Sequence, residues 1–374
     1  MAVYKIFPTQ DTTLYSTLPS MNTGLDAILE VSNQQNISGD PTVARYLIQF
    51  DTEEIIDIID NKIAGNNSSI YLKNFIAEAQ GINANISLEI RPIAQEWDNG
   101  TGYVLNSPNT TDGASWTFSA YSGSTSWSLS GSNSGGTYTG SYNSTYADQG
   151  GGNWYTSSIY LVTESFGLRS NKDINLNVST TVNAWYSASL PNYGFIVKLS
   201  NSSEFSTSED IQPMLKYYSV DTNTIYPPCL EFRWRDYKTV LTGSATGSIV
   251  TTSNIKMSLA ENPGIFYPES INRFYVNVSP LYPARVYQTS SLYTNLNYLP
   301  TASYYAIKDL DTNEYVVNFD DNYTQISSDS TGNYFDIYMS GLEPERYYKI
   351  LIKSIINGST MIYDDSYYFK VING

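Results

Sequence analysis

Residues 86–91 read Ile-Ser-Leu-Glu-Ile-Arg, and this alternation decides the fold class. Successive side chains of a strand point to opposite faces, so Ile86, Leu88 and Ile90 form a buried row and Ser87, Glu89 and Arg91 a wet one. The same period of two recurs at Ile174, Leu176 and Val178, and at Phe274, Val276 and Val278. It returns at Tyr348, Ile350 and Ile352, interleaved with Lys349 and Lys353. Punctuated by Gly, Pro, Asn and Asp turns, these segments predict an all-β chain of antiparallel β-sandwich domains. The 34 tyrosines favour pleated, half-buried surfaces in the same way. One short connecting helix is expected after the strand 46–50. Asp51 and Thr52 can cap its first turn, Glu54 lies three residues after Asp51, and Ile55, Ile56, Ile59 and Ile63 recur at helical spacing before Gly65.

At 374 residues the chain exceeds the size at which one core stops growing, so more than one domain is expected. The strand 230–234 gives way to a small polar run, TGSATGS, and a boundary is placed within 237–248. That leaves a sandwich over 1–238 and an immunoglobulin-like β region over 239–374. In the second region AIKDLDTNEYVVNF reads as two strands around a polar turn, and GLEPERYYKILIKSIING as turn, long strand and turn. Inside the first, residues 105–155 form a long Gly/Ser/Tyr-rich insertion with few charges and little aliphatic content. Tyr, Ser, Gly and Asn are the mixture that binding loops use. Tyr121, Trp127, Tyr138, Tyr142, Tyr146 and Trp154 are therefore the candidate interface residues. Such a loop has too little apolar material to offset the entropy of its own ordering, so neighbouring subunits are expected to order it.

Only 15% of residues are charged, with 36 acidic against 20 basic and a net charge of −16. No Lys/Arg cluster offers a phosphate backbone its counterions, so nucleic acid is not an expected partner, nor is an anionic membrane. No apolar run approaches the ~20 residues of a membrane span. The opening MAVYKIFPTQD has no basic segment followed by an apolar one, and the reading keeps the protein in the cytoplasm where it is made. Cys229 stands alone and can form no internal disulfide. The absence of histidine excludes Ser-His-Asp and Cys-His arrangements and every His-based metal site. Adjacent acids at Glu53-Glu54, Asp320-Asp321 and Asp364-Asp365 would point to opposite faces of a strand, the wrong geometry for a shared acid–base site. Asp309, Asp311 and Asn313 start with calcium-loop spacing, and Asp320 falls at its twelfth position. The sixth position is Glu314 where glycine is required, so a hairpin turn is preferred. No enzyme activity and no cofactor are expected.

The first 236 residues resemble the DNRLRE-type β-sandwich of bacterial surface and virion-associated modules. The resemblance lies in ordered landmarks: FPTQDTTLYS with Asn22 and Gly24, ARYLIQFD before a short helix, and ISLEIRPIAQEW leading to Trp97. INLNVSTTVNAWYSASLPNYGFIVKLS follows, with an aromatic turn at Trp185 and a glycine-bearing strand at Gly194. The hexapeptide that names the family has no counterpart. GLEPERYYKILI is similar to the late strands of fibronectin type III and other immunoglobulin-like domains. The resemblance implies a bacteriophage virion component of the neck, collar, tail or head exterior, assembled in the host cytoplasm. Its expected partners are other virion proteins and further copies of itself. The alternative is a phage adhesin that binds host glycan or surface protein through the insertion's aromatics.

Overall fold

The 86–92 segment folds as its alternation predicts, with Ile86, Leu88, Ile90 and Pro92 buried and Ser87, Glu89 and Arg91 half-buried. The structure is a computed structural model that describes residues 3–35, 41–65, 67–82, 85–121, 124–128, 137–139, 150–206, 211–239, 247–260, 263–282 and 296–373. It is 47% strand and 9% helix, an all-β, sandwich-type fold. Two units are distinguished: Ile6–Lys62 with Ser69–Glu231, and Met1–Lys5 with Ile63–Ser68 and Phe232–Gly374. The last change of unit along the chain falls between residues 231 and 232, inside a strand, and residues 240–246 of the polar run 237–248 lie outside the described residues. Composition marks a loop; it does not mark which core a strand joins.

The strands up to residue 234 are β1 (Val3–Ile6), β2 (Gln10–Tyr15), β3 (Ile28–Gln35), β4 (Pro41–Gln49), β5 (Ser68–Asn74) and β6 (Ile76–Ile82). They continue as β7 (Ile86–Pro92), β8 (Val162–Phe166), β9 (Ile174–Asn177), β10 (Phe195–Leu199), β11 (Ile211–Tyr218) and β12 (Cys229–Trp234). An eight-stranded sheet runs β8-β7-β10-β4-β3-β11-β6, with β2 also paired to β4, and a four-stranded sheet runs β1-β12-β5-β9. All five residues of β10 are buried, so the large sheet is covered on both faces at its centre. On one face Phe195 packs on Trp185, ring centroids 4.6 Å apart, and Tyr46 meets Tyr217 at 5.9 Å. On the other, Val43, Leu47 and Ile196 meet Trp97, Trp116, Trp127 and Trp154.

The connecting helix α1 (Thr52–Asp57) is capped by the Asp51 carboxylate, which accepts from the Glu53 N–H. It widens at once into a π-helical turn, Ile58–Ile63. The buried set is Ile55, Ile58 and Ile63, the last two five residues apart across the wider turn, and Ile56 is exposed. Two further helices are α2 (Ser179–Tyr186) and α3 (Asn201–Glu204). Trp185, read from sequence as part of an aromatic turn, lies in the last turn of α2.

In the second unit the strands are β13 (Ile255–Ala260), β14 (Ile265–Phe266), β15 (Ile271–Pro280), β16 (Ser303–Asp309) and β17 (Tyr315–Val317). After them come β18 (Ser327–Ser328), β19 (Asn333–Tyr338), β20 (Tyr347–Ile356) and β21 (Ser359–Val371). A four-stranded sheet, β13-β15-β19-β18, and a five-stranded sheet, β14-β21-β20-β16-β17, share one apolar core. Phe274, Val276 and Val278 enter it from β15, and Tyr348, Ile350 and Ile352 from β20. The Tyr348 hydroxyl donates to the Glu343 carbonyl at 2.9 Å, the geometry of the tyrosine corner in immunoglobulin-type sandwiches.

Candidate functional site

The six aromatic residues singled out in the insertion have different fates. Trp127 and Trp154 are each 3% exposed and belong to the core. They are not anchors for a neighbouring subunit, which corrects the expectation from composition. The outward row of β4 and β10 (Val43, Leu47, Ile196) is apolar, and a sheet apolar on both faces needs a cover on both. Trp116, Trp127 and Trp154 of the insertion belong to that cover, and Trp127 Nε1 donates to the Ser115 carbonyl within the insertion at 2.9 Å. Tyr121 is half-buried, its ring edge-on to Phe118 with centroids 5.0 Å apart. Tyr138 lies on a three-residue strand, Thr137–Thr139, opposite Trp154 in register. Tyr142 and Tyr146 lie outside the described residues.

Under this cover sits a buried ionic group. Arg45 and Lys198 each stand one residue on from the paired residues Tyr46 and Val197, so both face the tryptophans. Arg45 donates to both Glu204 carboxylate oxygens, from Nε at 2.6 Å and Nη2 at 2.9 Å, while Nη1 reaches the Gly151 carbonyl at 2.9 Å. Lys198 Nζ lies 3.1 Å from the same carboxylate. The Arg45 guanidinium rests 4.9 Å from the Trp116 ring centre and 5.2 Å from that of Trp154. Burial works against the Glu204 carboxylate, but Arg45 and Lys198 outweigh it and hold it below the usual range. Burial, reinforced by Arg45, pulls the Lys198 ammonium down. Gly151 is at φ +71°, and a Cβ there would stand 2.7 Å from the Trp116 ring and 2.8 Å from Arg45 Nη1, so only glycine fits. These charges hold the insertion to the sheet; they offer solvent no reactive group.

Among the described residues no group of three or more His, Cys, Asp or Glu side chains could hold a metal ion. The Asp309–Asn313 spacing belongs to the turn between β16 and β17. Asp309 Oδ1 accepts from the Asp311 and Thr312 N–H groups, both at 2.9 Å, and its carboxylate takes two bonds from Arg346 at 2.6 and 2.7 Å. Burial raises the Asp309 carboxyl, and Arg346 and these N–H groups more than compensate, holding it below the usual range.

Two surfaces of the described residues group exposed apolar side chains where another molecule could dock. The first is the apex at Tyr103, Val104 and Leu105, all exposed, with Leu105 at 92%. Its loop is fixed from below. The Asn22 amide donates to the Asn99 and Ala114 carbonyls at 2.7 and 2.8 Å, and its oxygen accepts from Gly24 and Gly102 at 3.1 and 2.9 Å. Asp112 accepts from the Thr101 N–H at 3.0 Å, and Asp26 accepts from the Val104 N–H at 3.1 Å. Sequence reading passed over this apex. The signal was an apolar triplet between Gly102 and Pro108, at the edge of the insertion.

The second surface is the outward face of the five-stranded sheet. Ile265 is paired with Lys370 and Lys370 with Tyr347; the next row runs Tyr368, Lys349, Lys308, Tyr315; a further row runs Ile362, Lys353, Tyr304. Each lysine lies over a ring: Lys308 4.5 Å from Tyr315, Lys353 4.6 Å from Tyr304 and 5.2 Å from Phe319, Lys349 5.9 Å from Tyr368, and Lys370 5.6 Å from Tyr347. Lys349 also pairs with Asp364, and Lys370 with Glu345. Ile265, Tyr315, Tyr347, Ile362 and Tyr368 remain exposed.

No protein-family model matches the sequence, and no curated protein is similar to it. Among solved structures, a DUF4785 family protein from Legionella pneumophila subsp. pneumophila is similar at 7% identity, the match covering 100% of this chain and 62% of that one, with a TM-score of 0.17. This chain thus spans less than two thirds of that protein's length, and a likeness at that score carries no argument about fold or function.

Proposed function

We propose that the chain is a non-enzymatic structural component of a bacteriophage particle, of its neck, collar, tail or head exterior, and that it works through protein–protein interfaces. The observation that carries this reading is the braced apex Tyr103–Leu105. Three apolar side chains held outward by a loop whose backbone is fixed at Asn22, Asp26 and Asp112 are organised for contact before any partner arrives. The low-charge, Asn-, Ser-, Thr- and Tyr-rich composition and the landmarks resembling virion-associated sandwiches support it. The alternative, an adhesin that stacks host glycan on the insertion's aromatics, loses Trp127 and Trp154, which are committed to the core.

Mass spectrometry of purified particles, followed by imaging of the subunit's position, tests the reading. The expected result is a stoichiometric chain seated against other particle proteins through the 103–105 apex. Leu105→Asp should fold normally, because the side chain is solvent-facing, and should be poorly incorporated. Absence from particles, or hydrolysis of host capsule that one carboxylate substitution abolishes, would overturn it.

A further inference from the structure

The outward face of the five-stranded sheet is built unlike the rest of the molecule. The chain has 36 acidic and 20 basic residues, yet four lysines share this one face with five exposed Ile and Tyr side chains. Lys308 and Lys349 stand directly opposite each other on neighbouring strands, an arrangement that costs stability unless negative charge lies close by. Asp364 pairs with Lys349 and also lies within the field of Lys308, so one carboxylate answers two lysines. Lys308 has the Asn313 side-chain oxygen at 3.2 Å and a tyrosine ring, and Lys353 has two rings. The rings hold the ammonium groups upright on the sheet, so the face is both apolar and basic without being floppy.

The chemical complement of such a face is a surface that is both acidic and apolar, and the chain carries one. The helical stretch from Thr52 to Ile63, with its cap Asp51, exposes Asp51, Glu53, Ile56, Asp57 and Asp60 within two to three turns, and Lys62 beside Asp57 is its one basic residue. We propose that the lysine–aromatic face of one copy docks onto the 51–62 helical stretch of a second copy. Resting on the reading of the chain as an interface-forming component, the inference specifies one of those interfaces. The two surfaces differ, so the contact is heterologous, and repetition of it generates a ring if the rotation closes and an open stack if it does not.

Sedimentation velocity on the full chain over a concentration series tests this. The wild type should associate reversibly. Lys308→Glu with Lys353→Glu should weaken association about tenfold or more, and so should Glu53→Lys with Asp57→Lys. Lys308→Gln with Lys353→Gln keeps the side-chain stems over the rings and should weaken it less. Mixing the two charge-reversed doubles should restore association, since each still carries one intact half of the contact. Lys172→Glu with Lys256→Glu adds the same negative charge elsewhere and should leave association unchanged. A monomer at every concentration overturns the proposal. So does equal weakening by the control double, failure of the mixture to associate, or binding of dextran sulfate to the lysine face in a chain that does not self-associate. A chain found in particles that stays monomeric sinks this contact alone, while a chain absent from particles sinks the underlying reading.

Discussion

Removing the Glu204 carboxylate should be among the most damaging single changes in the chain. Glu204→Ala leaves Arg45, whose side chain is fully buried, facing Lys198 without the carboxylate they share, and the nearest acid left is Glu89, 3.9 Å from Lys198. Lys198 has an escape, because burial already favours its neutral form. Arg45 has none, since a guanidinium does not deprotonate in proteins. The Gly151 carbonyl and the faces of Trp116 and Trp154 stay beside it, and none of them carries a negative charge. Breaking a buried ion pair from one side costs about 3–5 kcal/mol, and with partial relief from Lys198 the lower half of that range is expected. Urea unfolding followed by tryptophan fluorescence measures it. Glu204→Gln keeps an acceptor for Arg45 and should lose less. The sign with pH follows from the lowered carboxyl: its contribution is complete above the ordinary carboxylate range and lost as the pH falls through the depressed value, so the gap between wild type and Glu204→Ala should narrow in acid. A loss under about 1 kcal/mol, or a gap that widens in acid, would refute the argument.

Asp11 runs the opposite way: burial, opposed by the bond from the Val220 N–H, pushes its carboxyl up to about 8. Its folded-state stability should fall as the pH rises from about 4 towards 8, and Asp11→Asn should overtake the wild type across that window by several kcal/mol, read as diverging urea midpoints; parallel pH profiles would count against it. Asn22→Ala removes three hydrogen bonds to the 99–114 loop and one to Gly24 and should cost about 2–4 kcal/mol, with new proteolytic cleavage near the 103–105 apex as the sign that the bracing is lost. Tyr348→Phe deletes the hydroxyl bond to Glu343 and should cost about 1–2 kcal/mol without altering the near-ultraviolet spectrum of the first unit.

The parts of the fold legible in the sequence were those where one period dictates one environment. Ile86 to Ile90, Phe274 to Val278 and Tyr348 to Ile352 alternate because one face of each strand is buried and the other is not, and no distant residue can change that. The 52–63 helix was legible at its start, where Asp51 caps locally, and less so along its length. The π-helical turn Ile58–Ile63, across which Ile58 and Ile63 are both buried, has no local signature. Helix α2 was missed because Val178, Ser179, Thr180 and Thr181 are weak helix formers, overridden by the burial of Val182 and Trp185. Of the candidate site, Lys349 and Lys353 of β20 were visible as the row opposite Tyr348, Ile350 and Ile352. Their juxtaposition with Lys308, Tyr304 and Tyr315 depends on strand pairing that no spacing reveals.

The insertion shows where composition misleads. Counted by residue type, 105–155 has too few aliphatic groups to order itself, and the missing contacts were assigned to neighbours. But the β10 segment Phe195–Leu199, four apolar residues and a lysine with both faces buried, already implied that the large sheet needed a second cover. Trp116, Trp127 and Trp154 supply that cover from within the chain, because each brings a large apolar area at little rotamer cost. Deleting the insertion should therefore not leave a sound sandwich behind. It would bare Leu14, Val43, Leu47, Ile93 and Ile196 and open the Arg45–Glu204–Lys198 group to water. The centre of the large sheet is covered on both faces and has no face left there to offer a partner, whereas β20 leaves Tyr347 exposed and Lys349 and Lys353 half-exposed on its outward face. Contacts with other molecules should accordingly map to the lysine–aromatic face and the 103–105 apex, and crosslinks concentrated on the tryptophan cover would show that this division is wrong.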